Sequence, residues 1–133
     1  MQAKTPSLAR SFREPTKTNL ADDAAEGRAL FEMANLRPER TGLPFVVFIS
    51  QKGGARHDVR VKIAHGAKVR PSEMATVAVR PTVRVIRGAL DPDDLAMLTE
   101  WIELNKNVLI DYWNGEIEYT EDAISALRPL PSP

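Results

Sequence analysis

Hydrophobic and polar positions divide this chain into a β-rich stretch and one dominant helix. In Asp91–Gly115 (DPDDLAMLTEWIELNKNVLIDYWNG), Leu95, Leu98, Trp101, Ile102 and Asn105 follow i, i+3, i+4 spacing. Met97, Leu104 and Val108 widen that stripe, and Leu109, Tyr112 and Trp113 continue it. Asp91 suits an N-cap, Pro92 the first helical position, and Asp93 and Asp94 the positive end of the helix dipole. Asn114-Gly115 supplies the stop, and Asn105-Lys106-Asn107 is the one place where the helix could break. Both tryptophans lie here, so the rest of the chain reads as something for this helix to pack against.

Upstream, the period changes to two. Leu43–Ser50 (LPFVVFIS) reads as a buried strand, and Gly53-Gly54 as a hairpin turn. His57–Ala64 alternates, with His57, Val59, Val61 and Ile63 on one face and Asp58, Arg60 and Lys62 on the other. His65–Ala75 reads as loop. Thr76–Arg80 and Thr82–Arg87 read as two strand segments separated by Pro81, which cannot donate to a ladder and so marks an edge, bulge or bend. Arg84 falls on the face opposite Val83 and Val85. The pattern predicts an α+β fold: a small antiparallel sheet of three or four strands, one face solvated, the other packed on one long C-terminal helix. A helix over Asp22–Leu36 is expected beside it, and a last short helix from Thr120 through Leu127.

Residues 1–20 combine prolines with Ser and Thr and show no periodicity, which predicts a flexible tail ahead of a single domain over 21–130. No apolar run approaches a membrane span, no apolar core follows the N-terminal cations as in a signal peptide, and there is no cysteine. A cytoplasmic location is expected, with no disulfide and no thiolate metal site.

Charge changes the picture more than composition does. Residues 51–88 carry nine basic side chains against Asp58 and Glu73, a net of +7, while residues 89–133 carry ten acidic ones against Lys106 and Arg128, a net of −8. The whole chain is neutral. The two halves could neutralise each other within one fold or across a dimer, or the basic half could face an anionic partner.

The strand–turn–strand followed by LxxWIxxNxxxLxxxW, here Leu98, Trp101, Ile102, Asn105, Leu109 and Trp113, resembles a family of very small bacterial domains of unknown function. The likeness spans about residues 43–115 and rests mostly on packing positions. It implies the same strand-and-helix fold and a genomic setting near toxin–antitoxin or other small regulatory genes, without an activity. The family's strand carries two alternating histidines; this chain has His57 and, at the second position, Val59.

Candidate chemistry is sparse. His57 and Asp58 are neighbours on a strand and point to opposite faces. Two histidines and no cysteine make a weak metal set, Lys52-Gly53-Gly54 lacks the spacing and helix of a phosphate loop, and Asp91, Asp93 and Asp94 are explained by helix capping. No catalytic residue, metal site or cofactor is expected. What remains is a basic set, Arg56, Arg60, Lys62, Arg70 and Arg84, with His57 as a candidate polar site. The reading is a non-enzymatic interaction module, accessory or antitoxin-like, whose basic sheet face meets an acidic protein or a second copy in a homo-oligomer. Nucleic-acid binding through the same cations is the alternative, although no aromatic side chain is interleaved with them for base stacking. A metal-dependent or hydrolytic enzyme near His57 is the second alternative.

Overall fold

A computed structural model of the chain describes residues 33–65 and 73–131. The chain divides into two units, Met1–Phe31 and Glu32–Pro133, and every described residue belongs to the second. That unit runs β1 (Ala34–Leu36), α1 (Pro38–Thr41), β2 (Val46–Ile49), β3 (Arg60–Ala64), β4 (Ala75–Ala78), β5 (Arg84–Arg87), α2 (Pro92–Trp113) and α3 (Thr120–Ala126). The strands form one antiparallel meander in the order β1-β2-β3-β4-β5.

The fold class is the expected α+β, but the sheet has five strands rather than three or four. The additional strand is β1. Ala34–Leu36 was expected to close the helix that starts at Asp22; instead Ala34 pairs with Ile49 and Leu36 with Val47. Leu36 and Ala34 reach the core from this strand, so tertiary pairing overrides local helix propensity. Residues 22–32 of the expected helix, and the expected tail, lie outside the described residues.

Period-two alternation sorts the strands' side chains into two layers. Val47, Ile49, Val59, Val61, Ile63, Ala75, Val77 and Val79 enter one cluster with Leu98, Trp101, Ile102, Leu109, Tyr112 and Trp113 of α2. Register stacks like on like within it, Val47 against Ile63, Val61 against Val77 and Val77 against Val85. Each large side chain buried here is worth roughly 1.5–3 kcal/mol of transfer free energy, so the helix–sheet layer is a major source of the unit's stability. The helix runs unbroken through Asn105-Lys106-Asn107. Leu104, expected within the apolar stripe, is instead 43% exposed.

Asn105 does not interrupt the helix but fastens it to a remote segment. It is buried, its Nδ2 donates to the Trp101 carbonyl at 3.0 Å and to the Arg128 carbonyl at 2.9 Å, and its Oδ1 accepts the Arg128 N–H at 2.7 Å. The amide thus imitates a strand partner for the segment after α3. That segment continues to Leu130, whose N–H donates to the Thr41 carbonyl at 2.8 Å. Gly42, at φ 77°, admits the approach: a Cβ there would sit 2.7 Å from the Leu130 carbonyl oxygen.

Replacing Asn105 with Ala should remove three hydrogen bonds and leave the partly buried Arg128 N–H without its acceptor, costing about 1–3 kcal/mol. Asn107→Ala, on the exposed side of the same turn, should stay within about 0.5 kcal/mol. Urea midpoints at equal slope measure both; equal midpoints for the two variants would refute the assignment.

Candidate functional site

Because β3, β4 and β5 pair in register, their outward side chains form rows on the face away from α2. Arg60 stands opposite Ala78, and Ala78 opposite Arg84, which sets Arg60 and Arg84 in one row two strands apart, roughly 10 Å at the usual strand spacing. Phe48, Lys62, Thr76 and Arg87 form the adjacent row. The sheet therefore unites three of the five basic residues singled out from sequence. Arg56 sits apart and exposed in the loop between β2 and β3, and Arg70 lies outside the described residues.

Arg87 joins the cationic face, and sequence alternation missed it. Between Thr76 and Val77 the register slips, so that Val77 faces Val85 but Thr76 faces Arg87. A bulge of this kind puts two residues against one and resets the alternation. Nothing in a simple two-residue period announces it.

The face is not the bare solvated surface expected of a two-layer fold. Phe48, Ala64, Thr76 and Ala78, all on this side, are buried, and Arg60 and Lys62 are half-buried. Arg60, Lys62 and Arg87 each have an interaction within the chain. Arg84 is exposed, as is Ile86 at 47%. β5 is the last strand of the described sheet, so the exposed part of the cationic face is its β5 margin.

His57 lies elsewhere. The long β2–β3 loop folds onto the C-terminal end of α2: the Lys52 N–H donates to the Trp113 carbonyl at 2.9 Å, and the His57 ring stacks on Trp113 at 5.4 Å between centroids. Nδ1 of His57 donates to the Asp58 carbonyl at 2.8 Å. The strand expected from His57 starts only at Arg60: His57 docks on Trp113 and Asp58 takes Arg80, while Val59 already accepts the Val79 N–H at 3.4 Å and enters the core. The Gly53-Gly54 turn is present, closed by the Ala55 N–H on the Lys52 carbonyl.

Asp58 takes a bidentate fork from Arg80, Nε to Oδ2 and Nη2 to Oδ1, each at 2.9 Å. These hydrogen bonds, then that from the Val59 N–H, hold the Asp58 carboxyl below its ordinary value and raise Arg80. The pair ties the start of β3 to the β4–β5 turn, which contains the cis Arg80–Pro81 bond. At the far end of the sheet, His65 Nε2 lies 3.3 Å from Asp94 in the first turn of α2. Asp91, expected to cap that helix through its side chain, makes no such bond; its carbonyl accepts the Leu95 N–H instead. Among the described residues no group of three potential metal ligands occurs, and no helix is long and apolar enough to cross a membrane.

Exposure limits the Asp58–Arg80 pair to about 0.2–1 kcal/mol of coupling. Because the folded carboxyl is depressed, that contribution is complete above the unfolded value of about 3.9 and fades as pH falls through the lower folded value. A double-mutant cycle with Asp58→Asn and Arg80→Gln should show the coupling near pH 7 and lose it by about pH 2. Coupling that persisted in acid would contradict the ion pair. Compared with protein families, with characterised proteins and with solved structures, the chain finds no match.

Proposed function

We propose that this protein is a non-enzymatic interaction module that engages an acidic protein surface through the cationic face of β3–β5. The observation that carries this reading is the register-aligned row of Arg60 and Arg84 beside Lys62 and Arg87, set opposite an acidic helix exterior. Asp93, Glu100, Glu103 and Asp111 are all exposed on α2. An apolar layer separates the two charge sets, and the exposed part of the cationic one is the β5 margin that carries Arg84 and Arg87.

That arrangement favours a distinct partner over a second copy. Cationic face to acidic helix is a head-to-tail contact, which a two-fold axis does not close. Nucleic acid is the weaker reading: Phe48, the aromatic residue on this face, is only 6% exposed and offers no stacking surface. His57, spent on Trp113 and a carbonyl, adds no support to a hydrolytic reading. An accessory or antitoxin-like role is the setting in which such a module fits.

Polyglutamate serves as a probe of the acidic partner. Binding should weaken steeply with salt, and the pair Arg84→Glu with Arg87→Glu, both exposed at the β5 margin, should weaken it about tenfold, the equivalent of 1.4 kcal/mol. Unchanged affinity in the double variant, tighter binding to duplex DNA than to polyglutamate, or a salt-sensitive oligomer of the protein alone in light scattering would each overturn the reading.

A further inference from the structure

Among the described residues the sheet ends at β5, where Arg84, Ile86 and Arg87 are exposed, and strand register fixes what this edge presents. The Val79 N–H donates to the Val59 carbonyl at 3.4 Å, which sets the hydrogen-bonding phase of β4. Val79 and Val77 bond toward β3, so Thr76 and Ala78 bond toward β5. Arg84, opposite Ala78, and Arg87, opposite Thr76, therefore turn their backbone groups to β4. Val85, opposite Val77, turns its N–H and carbonyl to the free edge.

The two faces of this edge differ. Arg84 and Arg87 stand on the outer face, brought to the same side by the bulge. On the inner face the core is unfinished: Val61 and Val77 are fully buried, whereas Val83 and Val85 are only partly so. Ile86, between the arginines, is 47% exposed. A strand added here would lay apolar side chains beside Val83 and Val85, and carboxylates beside Arg84 and Arg87.

A second copy does not fit. Pairing β5 with another β5 sets arginine against arginine across the ladder, and like charges there are destabilising. Charged residues and bulges are the devices by which sheet edges avoid their own kind. Here the charge turns away a copy and admits an acidic strand.

We propose that β5 accepts an extended segment of a partner protein as a further antiparallel strand, its acidic residues alternating with β-branched apolar ones. The inference rests on the acidic-partner reading above and adds the partner's conformation and residue pattern.

Two capped peptides of identical composition separate pattern from charge: EVEVEVE alternates, and EEEEVVV does not. The alternating peptide should bind about tenfold more tightly and slow hydrogen exchange at the Val85 amide. N-methylation of its valines, the residues set opposite Val85, leaves its charge intact and should lower its affinity to that of the block peptide. Equal affinity for the two peptides, a Val85 amide that exchanges as fast with EVEVEVE as without it, or undiminished binding after N-methylation would overturn strand addition. If binding still falls in that case with Arg84→Glu and Arg87→Glu, the acidic-partner reading survives; if neither peptide nor polyglutamate binds, both readings fall.

Discussion

Burial of one helical stripe against one sheet face is the constraint on which the folded unit depends. Trp101, Leu98 and Ile102 are fully enclosed, and they can be enclosed only if Val47, Val61, Ile63 and Val77 present a continuous apolar row beneath them. Strand register follows from that need, because a slip of one residue would carry Arg60 and Lys62 into the core in place of Val61 and Ile63. Each strand is too short to be stable alone. The helix, anchored by acidic residues at its start and by aromatic residues near its end, supplies the surface that the strands share.

Asn105 is the polar exception within this apolar layer. A buried amide is tolerated when its donors and acceptor are used; here one hydrogen bond stays within α2, on the Trp101 carbonyl, and two reach Arg128, remote in sequence. Its clasp on Arg128, with the Leu130 N–H on Thr41, brings the last segment back to α1.

The hydrophobic layer also settles how the opposed charges relate. Cations of β3 and β5 point away from α2, while the exposed acids of α2 lie on the other side of the apolar layer. The His65–Asp94 contact links the two regions at the sheet's end, where the chain turns into α2. Arg80, by contrast, is matched to Asp58 within its own basic region. The charge asymmetry seen along the sequence becomes a spatial one, and this gives the proposed interaction face its sign.

The helix, the Gly53-Gly54 hairpin, the inward set Val59, Val61 and Ile63, and the basic character of Arg60, Lys62 and Arg84 were all legible in the linear sequence. Each rests on local periodicity or turn chemistry, which a short window contains in full. β1 was not, because three residues show no period and Ala34–Leu36 takes its shape from Val47 and Ile49. Nor was Arg87's place on the cationic face, which depends on a bulge, nor the docking of His57 on Trp113, nor the clasp of Asn105 on Arg128. These join residues remote in sequence, and only the folded chain brings their donors, acceptors and rings within reach. Local pattern by itself determined what the helix would bury; tertiary pairing decided how many strands it would bury them against, and which polar groups would meet across the gap.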